Sequence, residues 1–178
     1  DGEFVPNRTT LPQDLGHLET RLSLEAHLMV RNPEKYFHQL EELNFALAVL
    51  HFESFTTTKE LLTALSNAKA LGLKVGVAVN PQTDIDVLDN LIEDIDVCLL
   101  MSVFPGFQGK PFLPESLDRV AALRKKHKNA IIEVDGGIGL GNFESVLAHG
   151  ADRIVVGSGI WQTPDAKQTI YQFLSKLR

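Results

Sequence analysis

Residues 131–139 read I-I-E-V-D-G-G-I-G, and this stretch decides how the rest of the chain is understood. It runs apolar and β-branched, meets an acid, then breaks into glycines. Such a pattern is a buried parallel strand ending in a carboxylate, with a backbone-rich loop opening onto the next helix. Asp135 is then the last strand residue, at the carboxyl edge of the sheet where parallel α/β folds carry their chemistry. Gly136 and Gly137 expose bare N–H groups ahead of a helix, which suits a phosphate. The unit recurs at 154–159 as I-V-V-G-S-G, another strand running into Gly157 and Ser158. An acid beside two glycine-type anion cradles points to proton or metal chemistry on a phosphorylated small molecule.

Outward from that segment the chain alternates. Strands are expected over 22–30, 45–51, 73–80, 97–103 and 131–135, and again from 154. Helices are expected over 33–43, 59–71, 84–92, 114–127, 141–149 and 164–177. Pro33 sits at a favoured first helical position, Thr57 or Thr58 can cap the second helix, and Gly72 can stop it. Residues 1–21 are irregular, broken by Pro6 and Pro12, with a weak helical pattern around 14–20. Regular β-α alternation means a parallel sheet with right-handed crossovers. An open doubly wound sheet and part of an eight-fold barrel compete; a closed barrel needs eight units and typically about 250 residues.

Side-chain parity separates the two. Glu25, His27 and Met29 share one strand face, as do Lys74, Gly76, Ala78 and Asn80, and as do Ile131, Glu133 and Asp135. The opposite faces are apolar and suit packing on helices. The polar faces grow denser toward the carboxyl ends, as a barrel interior with a mouth requires. The expected fold is therefore α/β, a (β/α)8 TIM barrel with about six of its eight units present, forming a single partial domain over 1–178. The same parity leads to the expectation that Lys74 forms a buried ion pair with Glu25, Glu133 or both, because an unpaired charge there costs several kcal/mol.

The bulk numbers exclude several classes. A chain of 178 residues can bury a full core. A formal charge of −6 with no basic stripe argues against nucleic acid as a partner. The densest basic run, Arg124–Lys128, falls at an expected helix end, where cations complement the dipole. A lone Cys98 in an apolar strand rules out a disulfide framework and fits a reducing, cytoplasmic compartment. No apolar run reaches membrane-spanning length, so no membrane partner is expected.

Some residues stand out for chemistry. His27 and Asp135 fall at equivalent depths near the carboxyl ends of two strands, and an imidazole with a carboxylate suits a divalent metal. Two ligands are fewer than a catalytic ion usually takes. Met29 and Met101, the two methionines, project toward the expected mouth, where core filling is the plain reading. The loop 104–112, with Gly106 and Gly109 and aromatic residues at its tip, suits either a lid or an ordinary surface loop. His51 and Glu53 fit a pocket wall with structural hydrogen bonds; His17, His38, His127 and His149 receive no function.

Six motifs occur in one order: D-G-x-F-V-P-N at 1–7, H-L-M-V at 27–30, N-P-x-T at 80–83, M-S-V-x-P-G-F at 101–107, E-V-D-G-G-I at 133–138 and V-G-S at 156–158. Together they resemble the ribulose-phosphate 3-epimerase family, a (β/α)8 barrel of the ribulose-phosphate-binding group. The resemblance implies interconversion of D-ribulose 5-phosphate and D-xylulose 5-phosphate. Two aspartates on opposite faces exchange the C3 proton, and a divalent metal (zinc, iron or manganese) stabilises the cis-enediolate. It implies His27 and Asp135 as metal ligands and Asp135 also as one of the two acid–base groups. It further implies Met29 and Met101 as lining, Gly136, Gly137, Gly157 and Ser158 as the phosphate clamp, and Gly106 in the closing loop. The second aspartate and the other metal histidine of the family precede its D-G-x-F-V-P-N motif, so the chain is expected to be truncated and inactive as it stands, from a homo-oligomeric parent. Glu3 stands where histidine is usual, and Gln108 and Lys110 replace the usual Gly and Gln of the lid. The alternatives are a hexulose-phosphate (allulose 6-phosphate) 3-epimerase and a non-catalytic barrel that binds sugar phosphates. A decarboxylase or synthase of the barrel group is disfavoured because no D-x-K-x-x-D pattern is present.

Overall fold

The computed structural model describes residues 1–16 and 19–177. His17 and part of the weak helical pattern at 14–20 therefore fall outside the described residues, which show a short 3-10 turn at Pro12–Asp14. Six strands follow in chain order: β1 Leu24–Leu28, β2 Phe45–His51, β3 Lys74–Val79, β4 Val97–Met101, β5 Ile132–Asp135 and β6 Arg153–Val155. The helices are α1 Phe37–Glu42, α2 Thr58–Ala70, α3 Ser116–Lys126, α4 Phe143–Ala148, α5 Ser158–Trp161 and α6 Ala166–Lys176. All six strands join one sheet in sequential order, β1 to β6, and the β1–β2, β2–β3 and β5–β6 pairs are parallel. Neighbouring parallel strands in chain order are what repeated strand–helix crossovers produce. The fold class is that of a partial (β/α)8 barrel.

Two compact units divide the chain, with the boundary inside β4 between Leu99 and Leu100. The first, Asp1–Val79 with Thr83–Leu99, holds β1 to β3 and α2. Helix α2 buries Leu61, Ala64, Leu65 and Ala68, the i, i+3, i+4, i+7 face of an amphipathic helix. Its start is fixed by a capping box: the Glu60 N–H donates to Thr57 Oγ1 at 3.2 Å, and Thr57 N–H donates back to Glu60 Oε2 at 3.2 Å. The second unit, Asn80–Gln82 with Leu100–Arg178, holds β5, β6 and α3 to α6.

One device recurs in both units. Asp96, just before β4, donates its N–H to Val75 O (2.7 Å) and accepts Val75 N–H on Oδ2 (2.9 Å). Asp152, just before β6, repeats the pattern with Ile132 O and N–H, both at 2.8 Å. An aspartate thus closes the amino end of each strand pair and pairs backbone groups that would otherwise be exposed there. In the second unit the same Asp152 Oδ2 accepts from Arg124, whose guanidinium also donates to the carbonyls of Gly150, His127, Lys128 and Ala130. The basic run ending α3 is therefore structural at Arg124, which ties the helix end to the loops that lead into β5 and β6.

Two expectations are corrected. The helix expected over 84–92 is instead two 3-10 turns, Ile85–Leu88 and Ile92–Asp94. Asp84 accepts the Asp86 N–H at 3.0 Å, and a segment carrying Asp84, Asp86, Asp89 and Asn90 offers its backbone side-chain partners that compete with a helix ladder. Lys74 does not form a buried pair: it is the exposed first residue of β3. The β5–β6 register sets Arg153 opposite Glu133, and Arg153 Nη1 lies 3.8 Å from the Glu133 carboxylate, which is 3% exposed. A lysine at a strand start has a stem long enough to carry its charge to water.

Candidate active site

In the first unit, β1 and β2 run parallel with His27 opposite Val49, and His51 ends β2. The imidazoles meet through nitrogen: His27 Nε2 and His51 Nε2 are 2.9 Å apart. Their planes lie within 13° and their centroids 5.0 Å apart. With the nitrogens so close and the centroids so far, the rings lie edge to edge in nearly one plane, which aims each in-plane lone pair or N–H at the other ring. On its far side His51 Nδ1 is 3.2 Å from Glu53 Oε2, and Glu53 Oε1 accepts a hydrogen bond from the Thr83 hydroxyl. His51 is fully buried. Phe4 packs on its ring at 4.8 Å between centroids. Phe4 is itself placed by Asp1, whose Oδ1 accepts the N–H groups of Glu3 (2.9 Å) and Phe4 (2.8 Å) while Oδ2 accepts Arg31 N–H (2.6 Å). The D-G-x-F segment thus works as a turn that wedges an aromatic ring against a buried imidazole. Met29 follows β1 directly and is half-buried.

In the second unit, Asp135 is the last residue of β5 and is half-buried, as the sequence expects. Ser102, buried just after β4, holds the strand end: its N–H donates to Asp135 O at 2.8 Å, and its hydroxyl reaches Asp135 O (3.0 Å) and Gly136 O (2.7 Å). Gly136 and Gly137 follow with φ of +124° and +61°. Both need glycine twice over. A Cβ on Gly136 would sit 2.9 Å from Val103 N, and one on Gly137 would strike the Phe112 backbone and come within 2.9 Å of Lys110 O. The glycine turn after β5 therefore lies directly against the root of the 104–112 loop. The second glycine turn arrives beside it, since a Cβ on Gly159 would collide with Ile138 O and lie 3.2 Å from Gly139 Cα. Gly157 and Ser158 open α5, a short helix that the sequence reading lacked. Backbone from the two glycine turns thus approaches closely, with the Val156 side chain 3.0 Å from the same point.

The 104–112 loop carries exposed Phe104 and Phe107, with Gly106 and Gly109 at φ of +122° and +77°. Lys110 Nζ donates to Phe104 O at 3.1 Å and lies 5.9 Å from the Phe107 ring centroid. The loop is therefore tied to itself by the lysine that stands where the family resemblance places glutamine. Met101 is buried at the end of β4.

The structure thus groups the expected residues into two sets: His27 belongs to the first unit, while Asp135, Gly136, Gly137, Gly157, Ser158, Met101 and Gly106 belong to the second. Among the described residues no group of three or more His, Cys, Asp or Glu is arranged to hold a metal ion, and no helix is long and apolar enough to cross a membrane. His51 and Glu53 make the structural hydrogen bonds the sequence leads one to expect of them, while Thr83 and Ser102 are not singled out by sequence except as members of longer motifs. His51 ends β2 and Glu53 lies in the turn that follows, the strand-end placement that marks His27 and Asp135 in the sequence. Ser102 is in the M-S-V-x-P-G-F motif, but residue type alone does not show that it grips the end of β5.

Fold and site define an α/β protein of repeated strand–helix units, with an acid and glycine turns at the strand carboxyl ends. The model of the ribulose-phosphate 3-epimerase family matches residues 1–161. Similar curated proteins include the ribulose-phosphate 3-epimerase of Aquifex aeolicus, 39% identical over 93% of this chain and 76% of its own length. That of Escherichia coli strain K12 is 33% identical over 99% of this chain and 80% of its own. The chain belongs to the ribulose-phosphate 3-epimerase family. Among solved structures, 3-hexulose-6-phosphate synthase from Salmonella typhimurium superposes with a TM-score of 0.69 at 18% identity, covering 87% of this chain and 72% of that one. The tryptophan synthase α subunit of Pyrococcus furiosus gives 0.61 at 16% identity, covering 90% and 66%. At such identities these two speak to fold alone.

Proposed function

We propose that the reaction this chain serves is the interconversion of D-ribulose 5-phosphate and D-xylulose 5-phosphate, with its own residues moving the C3 proton on one face only. That proton is acidified by the neighbouring C2 ketone. Its removal gives an enediolate in which C3 is planar; inversion then takes a proton from an acid on the opposite face, the part the family resemblance gives to a second aspartate and Asp135 does not supply. Asp135 is the base and acid for one face. Gly136, Gly137, Gly157 and Ser158 hold the phosphate through backbone N–H groups, and the 104–112 loop, with Gly106 at a hinge, shields the site from water. The observation that carries this reading is the strand-end carboxylate of Asp135 running straight into a glycine turn that has positive φ and no room for a Cβ.

The divalent metal implied by the family resemblance, whether zinc, iron or manganese, would take His27 and Asp135. These are two donors where a catalytic ion usually takes three protein ligands, and the described residues offer no larger cluster. The residues fall short of such a centre, and no step here is routed through it. Met29 and Met101 are assigned to the lining of that region. A small phosphorylated ketose is the proposed partner, and the net charge of −6 weighs against nucleic acid. Homo-oligomeric assembly and a cytoplasmic setting complete the proposal.

The test is exchange of the C3 proton of D-ribulose 5-phosphate with D2O, followed by NMR. Asp135→Asn is expected to abolish exchange while D-ribulose 5-phosphate still raises the melting temperature. Exchange that survives the substitution, or bound substrate with no exchange in the wild-type chain, would refute the reading.

A further inference from the structure

Nothing in the proposed reaction uses the charge of Lys110. Its ammonium has three donors; one goes to Phe104 O at 3.1 Å, and the Phe107 ring centroid stands 5.9 Å away. No ion pair among the described residues includes it. A carbonyl and a ring face offer only partial negative charge, so a full positive charge stays uncompensated on the 104–112 loop. The backbone at both ends of the lysine bridge shows where that charge lies. Val103, which precedes Phe104, abuts Gly136: a Cβ there would meet Val103 N at 2.9 Å. Lys110 itself abuts Gly137, where a Cβ would come within 2.9 Å of Lys110 O. The bridge from Lys110 to Phe104 therefore closes the neck of the loop, with both its ends on the Gly136–Gly137 turn. Gly109 faces the segment of the other glycine turn. A Cβ on it would lie 3.9 Å from Gln162 Oε1, and Gln162 N–H donates to Ser158 O at 3.1 Å. All of these residues belong to the second unit.

We propose that Lys110 is a specificity-determining residue whose two remaining donors engage the substrate phosphate at the Gly136–Gly137 turn, so that the loop favours phosphorylated ligands over unphosphorylated ones. Backbone N–H groups give an anion direction but no net charge, and the ammonium supplies the charge, as a point cation on a flexible four-carbon stem. The glutamine usual at this position in the family resemblance can donate to Phe104 O, yet it is neutral. The phosphate contact rests on the role given above to the glycine turns; the placement of Lys110 beside them does not.

The experiment is calorimetric titration of inorganic phosphate, D-ribulose 5-phosphate and D-ribulose into the wild-type chain, Lys110→Arg, Lys110→Gln and Lys110→Met, each at low and high salt. Wild type and Lys110→Arg are expected to bind both phosphate ligands. Lys110→Gln and Lys110→Met should bind them about tenfold or more weakly, with a shallower dependence on salt. D-ribulose should bind no more tightly to wild type than to Lys110→Met. A lysine that only ties the loop predicts a different result, because Lys110→Gln keeps a donor for Phe104 O and would match wild type. Wild-type binding of D-ribulose 5-phosphate that is equalled by Lys110→Gln, or a loss that D-ribulose shares in full, overturns the role of Lys110 and leaves the glycine turns as the phosphate site. A wild-type chain that binds neither phosphate ligand overturns both.

Discussion

Replacing Gly137 by alanine tests the geometry on which the anion cradle depends. Two costs arise at this position. At φ +61° an L-residue sits in the left-handed region, at a cost of about 1–2 kcal/mol. The added Cβ also meets backbone rather than a side-chain tip: Phe112 N, Phe112 Cα at 2.7 Å and Lys110 O at 2.9 Å. Backbone cannot rotate away, so the loop root must shift, and overpacking of this kind adds about 1–3 kcal/mol. The sum is roughly 2–5 kcal/mol, which at this chain length lowers Tm by roughly 4–20 °C. Gly139 supplies the control from the same turn, since its φ is not positive and an alanine Cβ there meets nothing within 4 Å. Gly139→Ala should stay within about 0.5 kcal/mol of wild type. Urea unfolding and thermal melts of both variants, with and without D-ribulose 5-phosphate, make the comparison. Gly137→Ala should be the less stable and should lose the ligand-induced rise in Tm. Equal stability of the two variants would show that the 110–112 backbone does not constrain the glycine turn.

Three further substitutions address separate parts of the frame. Ser102→Ala removes the hydroxyl shared by the Asp135 and Gly136 carbonyls, so a loss of about 1–3 kcal/mol is expected in urea unfolding, together with slower C3 exchange. Arg124→Met strips one guanidinium from four carbonyls and the Asp152 carboxylate; a loss of roughly 2–4 kcal/mol is expected by denaturant titration, and unchanged stability would mean that these contacts are idle. Thr57→Ala opens the capping box of α2 and should cost about 1 kcal/mol, seen as faster amide exchange in the first turn of that helix, with C3 exchange unaffected.

The legible parts of this fold are those where one local signal suffices. Strand β2 falls at 45–51 as its apolar run implies, and the Thr57 cap and the strand-end position of Asp135 follow from residue type and place. Legibility fails where the outcome depends on a partner distant in sequence. The 84–92 segment has helical spacing, yet its aspartates favour local turns. Lys74 and Glu133 share an inward parity, but strand register, which parity alone does not set, gives Glu133 to Arg153. His51 and Glu53 are two residues apart and Thr83 is 30 residues beyond Glu53, so the relay behind His27 exists only once those three meet.

Ser102 has a mechanical consequence. Its N–H and hydroxyl grip the end of β5, and its carbonyl accepts Leu113 N–H at 2.9 Å, where the chain leaves the 104–112 loop. One buried residue is thus bolted both to the exit of the flap and to the main chain that bears the acid. If the 104–112 loop closes over substrate as proposed, its movement is transmitted through Ser102 to the Asp135 peptide, and loop position and carboxylate position are coupled.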